Sequence, residues 1–183
     1  NPLLRDDIDE IIEYASRFFV TTVYDNGSMA VEKIDALRNA DFVAISLDTL
    51  DEKSADYMKG VPGAWKKAMA TIETLKEEGI SVGVSPTISK FNLHEIVDFT
   101  EYFTDRGVPV WYCLYWYDYP TENQLFEIGK KTDEFDITDG KAMALVCDKL
   151  VEMKRARQGV FITDKTLLAL KQLFLNGRRT WSC

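Results

Sequence analysis

Ile8, Ile11, Ile12 and Ala15 recur at helical spacing, so residues 6–17 are predicted to form a helix with one apolar stripe. The period then changes. Phe18 to Tyr24 is β-branched and aromatic, which predicts a strand stopped by Asp25-Asn26-Gly27. Ser28 is placed to cap a helix through Asn39, and Phe42 to Leu47 is a short apolar run of the buried-strand kind. Pro62-Gly63 opens a helix carrying Trp65, Ala68, Met69, Ile72 and Leu75, with Gly79 just past its end. Ile80 to Ile88 reads as the next strand, Asn92 as the cap of a helix through Arg106, and Val108 to Trp116 as a further strand. Beyond Asp118 the pattern turns helical over 121–132 and 139–157. A short strand at Val160 to Ile162 and a capped helix from Asp164 to Asn176 follow.

Strands that are near-continuous apolar runs are covered on both faces, and helical crossovers require a parallel sheet. The fold class is therefore α/β. Four consecutive strand–helix units without a G-x-G-x-x-G turn point to a partial parallel (β/α) barrel rather than a dinucleotide-binding sheet. No Pro-, Gly- or Ser-rich linker interrupts the chain. Residues 1–120 are expected to form the barrel core and residues 121–183 a helical segment completing the same domain. Ligands of such sheets sit at the carboxyl ends of the strands. Here those ends are Tyr24-Asp25-Asn26-Gly27, Ser46-Leu47-Asp48-Thr49, Ser85-Pro86-Thr87 and Tyr115-Trp116-Tyr117-Asp118.

Composition narrows the function. The net charge of −8 gives no basic footprint for nucleic acid or an anionic membrane. No apolar run reaches the roughly 20 residues that cross a bilayer. Cys113, Cys147 and Cys183 are too dispersed for a disulfide framework or a C-x-x-C metal site, and an odd count without a secretion signal suggests a cytoplasmic setting. Both ends of the chain are expected to continue into something longer. With His94 as its one histidine, the chain cannot build a two-histidine metal site.

Among the strand-end residues, Asp48 is placed either to accept hydrogen bonds from ribose hydroxyls or a cation, or, with Asp51, to cap the next helix. Asn26-Gly27 fits a tight turn. Lys59 is either a cation for an anionic ligand or a surface lysine. Alternation puts Trp111, Cys113, Tyr115 and Tyr117 on one face of their strand and Tyr112, Leu114 and Trp116 on the other. One face would enter the barrel, as core or as the wall of a ligand cavity. Cys113 and Cys147 are expected to be buried, His94 to lie at the surface, and Cys183 to be accessible.

Taken in order, these segments resemble the radical S-adenosylmethionine (SAM) enzyme family. Pro2-Leu3-Leu4-Arg5 resembles the end of its Gly-Gly-Glu-Pro-Leu motif, and Asp25-Asn26-Gly27 its Thr-Asn-Gly turn with Asp for Thr. Ser46-Leu47-Asp48-Thr49 is similar to its Ser-Leu-Asp-Gly signature, and Tyr57-Met58-Lys59-Gly60 to the following Arg-Gly segment with Lys for Arg. Gly79-Ile80 through Thr87, with Asn92 and Glu95-Ile96, resembles the next strand and its Asn-x-x-Glu-Ile continuation. The resemblance covers roughly residues 2–118. It implies a partial barrel whose N-terminal strands are missing here. It also implies SAM and a [4Fe–4S] cluster as cofactors of the full-length protein, and reductive cleavage of SAM to a 5′-deoxyadenosyl radical that abstracts hydrogen from substrate. Ser46, Asp48 and Lys59 would hold the ribose or methionine end of SAM. Ser85, Thr87 and Asn92 would border adenine or ribose, and Tyr115 and Tyr117 would face adenine or substrate.

The family's Cys-x-x-x-Cys-x-x-Cys loop and Gly-Gly-Glu residues have no counterpart in these 183 residues, so no cofactor is expected on this chain alone. Cys183 resembles the first cysteine of an auxiliary-cluster (SPASM- or twitch-like) extension and would be a ligand only in a longer chain. The resemblance further implies a small-molecule or peptide substrate and a low-potential electron donor of the flavodoxin or ferredoxin type. A homodimer is expected to cover an open strand edge near Phe18–Tyr24. Two other readings stand beside it: an unrelated (β/α)-barrel enzyme using carboxylates such as Asp48 and Asp118, and a non-catalytic binding or scaffold domain.

Overall fold

A computed structural model describes residues 1–115, 134–156 and 159–177. The expected helix at 121–132, together with Trp116, Tyr117, Asp118 and Cys183, lies outside them. Five strands form one parallel sheet in the order β1 (Thr22–Asp25), β2 (Phe42–Ile45), β3 (Val82–Val84), β5 (Val110–Trp111), β7 (Val160–Phe161). A second parallel pair joins β4 (Thr87–Ile88) to β6 (Cys113–Leu114). The helices are α1 (Ile8–Ser16), α2 (Ile34–Leu37), α3 (Glu52–Lys59), α4 (Ala64–Glu77), α5 (Ile96–Thr104), α6 (Gly140–Ala156) and α7 (Asp164–Asn176). None of the described helices is long and apolar enough to cross a membrane.

The register sorts the strand side chains. Val23, Val43, Val82, Val84, Val110 and Val160 fall on one face of the sheet, and all are buried. Ile72 and Leu75 of α4, Phe99 and Phe103 of α5, and Met143 and Leu150 of α6 join them in the same core. Each fully buried residue of this size contributes about 1.5–3 kcal/mol of transfer free energy. The other face carries Tyr24, Phe42, Ala44, Gly83, Trp111 and Phe161. Tyr24, Trp111 and Phe161 remain open there, with Phe161 between Phe42 and Trp111.

The elements differ from the sequence expectation in several places, each with a local cause. The strand expected over Ile80–Ile88 divides at Ser85-Pro86, because Pro86 has no N–H for a ladder. The Thr87 N–H instead meets the Asp48 carboxylate at 2.8 Å. The Val108–Trp116 strand divides at Tyr112, whose hydroxyl lies 2.7 Å from that of Thr100 beneath α5. Burial pushes that phenol well above its ordinary range. Phe18 to Val20 are not strand: the Phe18 and Phe19 N–H groups close the C-terminus of α1 on the Ala15 carbonyl, and all three side chains are exposed. Ser28 does not cap α2. Its hydroxyl accepts from Asn1 Nδ2, and the helix is reduced to a 3₁₀ turn followed by α2. β1 pairs only with β2 among the described residues, so it forms one margin of the sheet.

The cysteines also part from expectation. Cys147 is buried, and burial pushes its thiol up to about 11. Cys113, expected to be buried, is exposed, because it lies on the open face of its strand while Tyr112 takes the covered one. Alkylation near pH 8 should therefore modify Cys113 within minutes and leave Cys147 intact for hours. Peptide mapping by mass spectrometry reads this directly, and equal rates at the two sites would contradict the structure.

Candidate functional site at the carboxyl ends of β1 to β4

The strand β2 ends at Ile45, and the chain leaves it through Ser46 and Asp48. Asp51 accepts from Ser54 N at 2.8 Å and starts α3, which confirms one of the two caps considered from sequence. Asp48 has a different role. It is 4% exposed, Oδ1 accepts from Thr87 N at 2.8 Å, and Oδ2 lies 2.6 Å from Lys59 Nζ. Helix α3 ends on Gly60 in the left-handed region, and this returns its last residue, Lys59, to the strand end it departed from. Lys59 Nζ also donates to Ser46 Oγ at 2.8 Å.

Asn92 completes the arrangement. Its Nδ2 donates to the carbonyls of Asp48 at 2.6 Å and Thr87 at 3.0 Å, and its Oδ1 accepts from Ser89 N at 2.8 Å. It was expected to cap a helix. It is instead a fully buried tie between two strand ends, and α5 begins four residues later at Ile96. A cap would have left its NH₂ in solvent. Here the loop that follows the interrupted β3–β4 strand needs a donor for two inward-facing carbonyls.

The structure thus brings together Ser46, Asp48, Lys59, Thr87 and Asn92. Ser85, at the end of β3, stands beside Cys113 on β6, with Oγ and Sγ 3.7 Å apart. Burial, and to a lesser extent the Cys113 thiol, raises the Tyr24 phenol above its ordinary value. Tyr115 packs at 5.6 Å on Phe135, and Phe135 lies 6.1 Å from Phe91, which stacks on Tyr57 of α3 at 5.7 Å. That aromatic row joins the ends of β4 and β6 to the helix that carries Lys59. His94 is exposed and apart from the strand-end cluster, as expected for a surface residue.

One residue of the site was not singled out from sequence. Asp25, at the end of β1, is buried; its Oδ1 accepts from Gly27 N at 2.6 Å and its Oδ2 has no partner among the described residues. The signal was available as the departure from a Thr-Asn-Gly turn, since a buried carboxylate where a hydroxyl is usual requires a partner for its second oxygen.

Acceptors, hydroxyls and one ammonium group at adjacent parallel strand ends define an α/β protein of the (β/α)-barrel class with a polar ligand site. The chain belongs to the radical SAM superfamily, whose family model matches residues 1–103. The AdoMet-dependent heme synthase of Nitratidesulfovibrio vulgaris is 30% identical over 118 residues, covering 62% of this chain and 32% of the relative. The antilisterial bacteriocin subtilosin biosynthesis protein AlbA of Bacillus subtilis is 27% identical over 109 residues, or 57% of this chain and 24% of that one. The solved structure of native anSMEcpe with bound AdoMet and Kp18Cys peptide superimposes with a TM-score of 0.54 at 13% identity, over 88% of this chain and 44% of that one. The chain thus aligns with about a third or less of these curated relatives.

Full-length members of this family use SAM together with a [4Fe–4S] cluster. The donor set here fits SAM: hydroxyls and a cation for its carboxylate and ribose, and the unpartnered oxygen of Asp25 for a hydrogen-bond donor. It does not fit the cluster. No group of three Cys, His, Asp or Glu side chains able to hold a metal is found among the described residues.

Proposed function

We propose that this chain supplies the SAM-binding half of a radical SAM oxidoreductase site, its cluster ligands lying in another part of the whole protein. The observation that carries this reading is the convergence of Lys59, Ser46 and Asp48 at the end of β2, within a chain of this family. Bound SAM, cleaved reductively, supplies the radical that takes hydrogen from substrate. The residues of this chain bind and orient it. Ser46 and Lys59 present a hydroxyl and a cation to its ribose and carboxylate. Asp48 holds Lys59 in place, and Asn92 and the Thr87 amide hold Asp48 and its loop. Ser85 and Tyr115 border the adenine side. Cys183 remains an auxiliary-cluster ligand in a longer chain. A low-potential flavodoxin- or ferredoxin-type donor supplies the electron. The substrate is a small molecule or a peptide: the resemblance to an AdoMet-dependent heme synthase supports the first and that to AlbA the second.

Lys59→Met should weaken SAM binding to the whole, cluster-loaded protein by about tenfold or more, since a charge-assisted hydrogen bond is worth about 1.5–3 kcal/mol. Ser46→Ala should cost about 1 kcal/mol, roughly fivefold. Calorimetric titration with SAM measures both. Unchanged affinity in both variants would place the cofactor elsewhere.

A further inference from the structure

Two buried side-chain atoms have no hydrogen-bond partner among the described residues, and they are complementary: Asp25 Oδ2 accepts and Trp65 Nε1 donates. Asp25 shares a face of β1 with Val23 and pairs with Ile45, so its carboxylate lies on the side of the sheet that the helices cover. It is 3% exposed there. Trp65 stands in the first turn of α4, three residues before Ala68, and residues three apart share a helix face. Ala68 is the residue that Gly27 lies against, and the Gly27 amide holds the other Asp25 oxygen. Acceptor and donor therefore flank one junction, between the end of β1 and the start of α4. Burying either atom unpaired is costly, and a bound water between them pairs both.

The surrounding hydrogen bonds form a circuit with a single gap at these two atoms. Lys59 Nζ donates to Ser46 Oγ at 2.8 Å, and Ser46 N donates to the Asp25 carbonyl at 2.8 Å. On the other side, Asp56 accepts from Trp65 N at 2.9 Å and from Gly63 N at 2.6 Å. Asp56 lies on α3, three residues before Lys59. A link from Trp65 to Asp25 thus closes a ring that runs from Lys59 through Ser46, Asp25, Trp65 and Asp56 back to Lys59.

We propose that one bound water joins Trp65 Nε1 to Asp25 Oδ2, accepting from the indole and donating to the carboxylate, and that Asp25 and Trp65 are positioning residues for the Lys59–Ser46 pair. The proposal rests on the SAM site proposed above. It gives the free Asp25 oxygen its donor from within the protein rather than from the cofactor. Threonine in this place, as in the turn that the sequence resembles, has no second oxygen to offer the indole.

The test uses the whole protein with ¹⁵N-labelled tryptophan, the Trp65 indole signal being identified by its loss in Trp65→Phe. That indole proton should show a cross-peak to water whose sign in the rotating frame marks a bound molecule rather than proton exchange, and Asp25→Thr should remove it. Calorimetry on the cluster-loaded protein then reads the affinity for SAM. Trp65→Phe and Asp25→Thr should each weaken it about three- to tenfold, as loss of one hydrogen bond does. The double variant should lose no more than either single one, and Trp65→Phe should have no effect in a Lys59→Met background. A merely structural role would lower the melting temperature and leave the affinity of the folded protein unchanged. Native affinity in both single variants, additive losses, or a loss that persists in Lys59→Met would overturn the positioning role. Absence of the water cross-peak, or its survival in Asp25→Thr, would overturn the bridge. If Lys59→Met itself left SAM affinity unchanged, the SAM-site reading would fall and the positioning role with it, while the cross-peak would still decide the bridge.

Discussion

Asn92→Ala should lower the unfolding free energy by about 2–4 kcal/mol, one of the larger effects available to a single polar substitution here. The variant removes the donor that serves the Asp48 and Thr87 carbonyls and the acceptor of the Ser89 amide, all in a fully buried setting. At about 2–4 °C per kcal/mol for a domain of this size, the melting temperature should fall by roughly 5–15 °C. The informative companion is Asn92→Asp. Were Asn92 a helix cap, Asp would replace it almost without cost. In the observed geometry a carboxylate would face two carbonyl oxygens, so Asn92→Asp should destabilise at least as much as Asn92→Ala near neutral pH. Circular dichroism melts of the two variants decide it, and a near-native Asn92→Asp would return the residue to the role expected from sequence. Because Asn92 ties the backbone of Asp48, both variants should also loosen the position of Lys59.

That contrast shows what the sequence can and cannot specify. The alternation of apolar runs with helical stripes was enough for a parallel α/β sheet, because burial on both faces leaves a continuous run at Phe42–Leu47 whatever its neighbours. Residue types at a strand end were enough to name Ser46 and Asp48, with Lys59 as a candidate cation, while Ser85, Thr87 and Asn92 entered only through the family resemblance. Which partner each one takes was not legible. Asp48 and Asp51 are three apart and both suited to capping, yet only Asp51 meets a helix amide, while Asp48 meets Thr87, 39 residues away. That distinction depends on where Pro86 interrupts a strand, and it exists only after the sheet has formed. Cys113 departs from the expectation of burial for a related reason. An apolar run does not reveal which of its alternate faces is open, and the register with β4 settles it. Phe18 and Phe19 have strand-forming side chains, but their amides are claimed first by the end of α1.

Gly27→Ala should be the most damaging small change near the site, at about 2–4 kcal/mol, and its two causes are separable. Gly27 has φ +81°, where a Cβ costs about 1–2 kcal/mol in any surroundings. The added methyl would also stand 2.7 Å from the Ala68 Cα of α4, a backbone atom that cannot rotate away. Gly27 holds that approach through its carbonyl, which accepts from Thr71 Oγ1 at 3.0 Å, one turn further along α4. Pushing α4 outward would lengthen this bond and shift Asp25, whose Oδ1 is fixed by the Gly27 amide. Ala68→Gly removes only the Cβ, which would lie 3.2 Å from the new methyl, and so relieves the secondary clash but not the contact with Cα. A double-mutant cycle should therefore show a coupling of about 0.5–1 kcal/mol, with most of the loss persisting in the double variant. Denaturant melts give the four free energies. Full rescue by Ala68→Gly would mean that the turn tolerates a side chain at positive φ and that α4 alone sets the limit. A stability loss below about 1 kcal/mol in Gly27→Ala itself would mean that the end of β1 is not pinned to α4. In that case Asp25 would not be held at the edge of the proposed cofactor site.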